Sequence, residues 1–94
     1  MQKAEYKVKG GKLIRIKLTA KGKTIENIKI TGDFFLHPED LIDELEKTLK
    51  GHSLNEEELS NLIQAFLRIR GATLLGASPE DFARCIMMAG GNSG

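Results

Sequence analysis

Up to Ile30 the apolar residues of this chain recur at every second position, and beyond Pro38 they recur at every third or fourth; the change falls at Gly32. A period of two belongs to a strand and a period near 3.6 to a helix, so the chain must build a sheet first and then pack helices against it. The turning stretch reads Ile28-Lys29-Ile30-Thr31-Gly32-Asp33-Phe34-Phe35-Leu36-His37-Pro38-Glu39-Asp40. Gly32 lets the backbone leave the strand in a conformation that a Cβ resists, and the Asp33 carboxylate is expected to accept from nearby backbone N–H groups as the chain turns. Phe34 and Phe35 are neighbours, and neighbouring side chains of extended chain point to opposite sides. One Phe therefore enters the core; the residues leave open whether the other joins it or faces a partner.

Ahead of the turn, Ala4, Tyr6 and Val8 alternate with Glu5, Lys7 and Lys9, and Gly10-Gly11 suits a two-residue hairpin. A second strand carries Ile14, Ile16 and Leu18 on one face and Leu13, Arg15 and Lys17 on the other, followed by a turn at Ala20-Lys21-Gly22-Lys23. The third strand, Thr24 to Thr31, is expected to place Ile28 and Ile30 inside and Ile25, Asn27 and Lys29 outside. Such a sheet is apolar on one side and mainly basic on the other, as expected when helices cover a single face.

Three helix starts share one pattern, an apolar residue on either side of a cap. Leu36, His37 as cap, Pro38 and Leu41 make the first; Leu54, Asn55 as cap, Glu56 to Glu58 and Leu59 the second; Ala77, Ser78 as cap, Pro79, Asp81 and Phe82 the third. The expected buried faces are Leu41, Ile42, Leu45 and Leu49, then Leu59, Leu62, Ile63, Phe66 and Leu67, then Phe82, Ala83, Ile86 and Met87. The fold class is α+β: a three-stranded antiparallel meander followed by three helices packed on one face of the sheet. Residues 1–90 read as a single domain and 91–94 as a tail, with the glycine-rich end from Gly90 expected to fray. Gly71 to Gly76 reads as an apolar connection, a single tight turn.

The chemistry needed for catalysis is scarce. A nucleophile, a base and a group to hold the base are required, or a metal with several ligands, yet His37, His52 and Cys85 are the only imidazoles and thiol. No His-x-x-x-His or Cys-x-x-Cys pair seeds a metal site. Cys85 on a helix face reads as a small buried hydrophobe, with a reactive thiol as the alternative. Gly22-Lys23-Thr24 has the ending of a phosphate-binding loop, but Lys17 stands where that motif needs glycine and a strand follows, so a hairpin turn accounts for it. Glu39, Asp40, Asp43, Glu44 and Glu46 read as helix-start charges and the solvent side of the first helix. With 14 Lys and Arg against 13 Asp and Glu, bulk charge draws the chain to neither nucleic acid nor membrane. The basic face formed by Lys7, Lys9, Arg15, Lys17 and Lys29 lacks the aromatic platforms that single-strand binding uses, so it reads as solvated, with a nucleic-acid module as the lesser alternative. A single cysteine, no signal peptide and no membrane-length apolar run point to the cytoplasm. Residue chemistry alone thus indicates binding or support, with no catalytic or metal-ligating residue assigned.

The stretch Ile28 to Phe35, then Pro38-Glu39-Asp40 and a helix ending at Leu49-Lys50-Gly51, resembles the C-terminal accessory domain of lipoate-protein ligases. The likeness extends back through Lys7 to Ile14 and forward, more loosely, to Ser78-Pro79-Glu80-Asp81-Phe82. It implies the separate small-subunit form found in archaea, since no catalytic domain precedes Met1. The implied role is to support a large catalytic subunit that activates lipoate with ATP as lipoyl-AMP and passes it to a lysine of an acceptor protein. Lipoate, ATP and Mg are expected in the large subunit and no cofactor in this chain; the partners are that subunit and, indirectly, the acceptor. Gly32, Asp33, Phe34, Phe35 and Leu36 are the candidate contact residues. The same coarse order of elements is similar to iron-sulfur assembly scaffolds and sulfur acceptors, a rival that requires cysteine chemistry.

Overall fold

The structure, a computed structural model, describes residues 2–10 and 12–91. Strands β1 (Gln2–Lys7), β2 (Leu13–Lys21) and β3 (Thr24–Gly32) form an antiparallel sheet in sequence order, as the alternation requires. Strand β4 (Phe35–His37) leads to helix α1 (Leu41–Leu49), then α2 (Glu56–Ile69), strand β5 (Thr73–Leu75) and α3 (Pro79–Gly91). Helix α3 lies under β1 and β2, α1 lies under β3, and α2 packs chiefly on α3. Between them Ile14, Ile16, Leu18, Leu45, Leu49, Ile63, Phe82 and Ile86 are almost completely withdrawn from water. At about 1.5–3 kcal/mol for each large side chain buried, this single core is the main force holding sheet and helices together.

Two features alter the sheet expected from alternation alone. The β2–β3 register shifts between Thr19 and Ala20, so that Thr19 faces Asn27 while Ala20 faces Ile25. This bulge inserts one residue and turns Ile25 inward. Ile25, expected outside, is 1% exposed and belongs to the core with Ile28 and Ile30. The β1–β2 pairing ends at Lys7↔Leu13, and the Val8 N–H donates to the Lys12 carbonyl at 2.7 Å. The connection is therefore longer than a two-residue turn, and Lys9 stands in it rather than on the sheet face. Gly11 lies outside the described residues.

The open edge of β3 is covered in two ways. Near the β2–β3 turn, Ile25 N–H donates to His52 O at 2.9 Å and Gly51 N–H donates to Ile25 O at 2.8 Å, so the α1–α2 connection runs along the strand. Further on, Glu46 reaches up from α1 to accept from the Ile30 N–H at 2.7 Å. Glu46, expected on the solvent side of α1, is thereby buried at 8% exposure. An edge N–H shielded from water costs about 1–3 kcal/mol when it loses its partner. Glu46→Ala is accordingly expected to lower stability in urea by that amount and to speed hydrogen exchange at the Ile30 amide, whereas Glu46→Gln, which retains an acceptor oxygen, loses less. Equal stability of Glu46→Ala and wild type would contradict this role.

The helix ends follow their sequences at two of three starts. The Asn55 side chain accepts from Glu58 N–H at 3.0 Å. Ser78 and Asp81 exchange bonds, Ser78 N–H to Asp81 Oδ2 at 2.9 Å and Asp81 N–H to Ser78 Oγ at 3.3 Å, forming a capping box. The first start differs: His37 is not a cap but the last residue of β4, paired with Thr73. A turn at Pro38 to Asp40 intervenes, with Leu41 N–H donating to Pro38 O at 3.1 Å, and α1 begins at Leu41 behind Asp40, whose side chain caps nothing. Helix α2 closes in a Schellman motif, Gly71 N–H to Arg68 O and Ala72 N–H to Leu67 O, with Gly71 at φ +63°. Rather than a single tight turn, the following residues form β5. Helix α3 continues through Gly90, which is packed so that a Cβ would meet Leu54 and Leu18 side chains at about 3.0 Å. Asn92 to Gly94 lie outside the described residues.

The candidate contact surface

Gly32 to Leu36 form the link between the two sheets, and each residue is fixed by a different neighbour. Gly32 closes β3 opposite Ile14, and the Asp33 N–H donates to the Leu13 carbonyl at 2.8 Å. The turn is held by this backbone bond. The Asp33 carboxylate, expected to bond backbone N–H groups, is exposed and makes no hydrogen bond or ion pair among the described residues. Phe34 points inward, half-buried, its ring edge-on to Phe82 with centroids 4.9 Å apart. Leu36 also points inward and is buried.

Phe35 points the other way. It stands on β4 directly opposite Leu75 of β5, and the two are 48% and 58% exposed. The His37 ring lies parallel to the Phe35 ring, 5° apart in plane and 6.2 Å between centroids. A β4–β5 ladder of three residue pairs thus presents a ready-made apolar surface, backed by Leu36 and Leu74. Among the described residues the only other large apolar side chain so exposed is Ile69, at the end of α2 and not on this small sheet. Leu75 was not singled out from the sequence; three-residue strands have no period to detect, and only the pairing brings it beside Phe35.

Among the described residues no three His, Cys, Asp or Glu side chains gather as metal ligands, and no helix is long and apolar enough to cross a membrane. Cys85 is fully buried, its Sγ 3.7 Å from the carbonyl oxygens of Ala4 and Ile14. Burial first, and the Glu5 carboxylate second, push the thiol up to about 11. An exposed thiolate, which sulfur acceptance demands, is thus disfavoured at this position. The unfolded chain loses this proton near pH 9 and the folded chain keeps it to about 11, so native stability falls as pH rises through that window. Cys85→Ala is expected to flatten this alkaline decline relative to wild type, and iodoacetamide at pH 8 is expected to modify the thiol only as fast as the native fold opens. Alkylation at the rate of a free thiol would contradict the burial.

The architecture is that of a small α+β module, a three-stranded antiparallel sheet with three helices. Its sequence matches the family model for the bacterial lipoate protein ligase C-terminus over residues 2–86, and the chain belongs to that family. It is 40% identical over 86 residues to lipoate-protein ligase A subunit 2 of Thermoplasma acidophilum, covering 92% of this chain and 87% of that protein. Its fold is similar to a chain in the structure of an archaeal lipoylation system from the same organism, a bipartite lipoate protein ligase with its E2 lipoyl domain; the TM-score is 0.78 at 38% identity, over 92% of this chain and 94% of that one.

Proposed function

We propose that this chain is the non-catalytic small subunit of a two-component lipoate-protein ligase. It docks on a large subunit that joins lipoate to ATP, releasing pyrophosphate and forming lipoyl-AMP, and that then passes the acyl group to a lysine amine of an acceptor protein with release of AMP. Lipoate, ATP and Mg are held by the large subunit. An acyl-adenylate is readily hydrolysed, so the site that makes it gains from a cover that excludes water and orders the surrounding loops.

The observation that carries this reading is the outward pair Phe35 and Leu75, 48% and 58% exposed, within the residues 2–86 that match the family. An aromatic anchor on a rigid ladder loses little conformational entropy on docking. Phe34 and Leu36 serve the fold; Phe35, with Leu75 and His37 beside it, serves the partner. The test is lipoate-dependent ATP–pyrophosphate exchange by the matched large subunit with and without this chain. Exchange that rises strongly on addition supports the role, and exchange already complete without the chain opposes it.

A further inference from the structure

The outer face of the three-stranded sheet carries no helix, and its charges are ordered. Lys3 pairs in register with Lys17, and Lys17 with Lys29, so three ammonium groups cross the sheet in one row. Like charges placed directly opposite destabilise a sheet. Lys7 and Arg15 share the face, where Glu5 is bound to Arg15 at 2.8 Å, and Glu26, the exposed extra residue of the β3 bulge, stands toward its far end. Among the described residues no carboxylate comes within ion-pair distance of Lys3, Lys17 or Lys29. The whole chain is only +1, so this cationic face is balanced by net negative charge elsewhere. A hollow of about 480 Å³ opens between the rows, lined by Lys3, Ala4, Glu5, Arg15, Ile16 and Lys17.

We propose that this face is the docking surface for an acidic face of the acceptor domain that the ligase modifies. The inference rests on the small-subunit reading above. The acceptor is favoured over the large subunit because of what the surface lacks: none of the large exposed apolar side chains, Phe35, Ile69 and Leu75, lies on it. A permanent subunit contact is built on a buried apolar core, and the Phe35–Leu75 pair fits that need. A surface of lysines without an anchor gives fast, salt-sensitive and reversible capture. An acceptor that must leave after every turnover needs that kind of capture. The lysine row also lies only three residues along β3 from Gly32, roughly 10 Å, so both surfaces can be engaged together.

The test uses the reconstituted two-subunit ligase and unmodified acceptor domain. Lys3→Glu/Lys17→Glu/Lys29→Glu is expected to raise KM for the acceptor on the order of tenfold or more at low salt, while kcat at saturating acceptor holds. Wild-type KM is expected to climb as salt screens the contact, and the variant's much less so. Replacing the central lysine relieves repulsion with both neighbours, so Lys17→Gln is expected to keep or raise Tm and still raise KM severalfold. Equal KM in wild type and both variants, or a wild-type KM indifferent to salt, would overturn the proposal. Pyrophosphate exchange by the wild-type mixture reports separately on the small-subunit reading. Should that fail, titrating the full chain with acceptor domain still decides: salt-sensitive binding lost in the triple variant upholds the docking face, and no binding refutes it. Binding to a single-stranded oligonucleotide in preference to the acceptor would assign the face to nucleic acid instead and also overturn it.

Discussion

Gly32→Ala is expected to cost about 2–4 kcal/mol of stability and to lower Tm by roughly 10–20 °C, far more than an ordinary surface substitution. The reason is local and steric. Gly32 holds φ +156°, and a Cβ built there runs into the Leu13 carbonyl oxygen and comes within 3.0 Å of the Phe34 ring. The carbonyl cannot step aside freely, because it accepts the Asp33 N–H that holds the turn. The Phe34 ring is pinned in turn against Phe82, a side chain only 1% exposed. Gly22 offers the control: it too has positive φ, +63°, but nothing lies within 4 Å of a Cβ there. Gly22→Ala should cost about 1–2 kcal/mol, the conformational part alone. Urea denaturation of the three proteins checks the difference, and a Gly32→Ala chain as stable as Gly22→Ala would contradict the steric account.

The second large effect separates neighbouring phenylalanines. Phe35→Ala/Leu75→Ala removes the exposed pair of the β4–β5 ladder and is expected to weaken binding to the large subunit by about 100-fold, the range of a central interface anchor. Its own cost to folding is small, about 0.2–1 kcal/mol for a lost cross-strand pair. Phe34→Ala should behave in the opposite way, because its ring packs edge-on against Phe82 inside the domain. That variant should lose about 2 kcal/mol of stability, the burial and ring-packing terms together, and bind the partner normally where it remains folded. Calorimetric titration beside thermal melts reads both quantities. Loss of binding in step with loss of stability for both variants would make the whole segment a matter of folding alone.

Much of this arrangement was legible in the sequence because its causes are local. The alternation through Ile14, Ile16 and Leu18 and the change of period at Gly32 give the meander and its junction with the helices. Asn55 and the Ser78–Asp81 pair announce two helix starts through bonds that span three residues. What escaped notice depends on contacts between distant segments. Ile25 was misplaced because one extra residue in the β3 ladder inverts the faces on its far side, and a bulge leaves no mark in the apolar pattern. Glu46 looked like any acidic residue on a helix surface, since its partner, the Ile30 N–H, is 16 residues away. His37 had the position of a cap but is claimed by a strand whose other half lies beyond two helices. The same pairing completes the exposed Phe35–Leu75 surface, so half of that surface was visible in the sequence and half was not. Likewise Lys3 joined the basic face only through its register with Lys17.

We propose that this chain acts by docking its small outward sheet on a catalytic partner. The docking is tested most directly by titrating the matched large subunit with this chain and following lipoate-dependent pyrophosphate exchange. Exchange should rise to a plateau at one small chain per large subunit, and Phe35→Ala/Leu75→Ala should reach the same plateau only at much higher concentration. A large subunit that exchanges fully on its own, or two curves that superimpose, would rule out this docking.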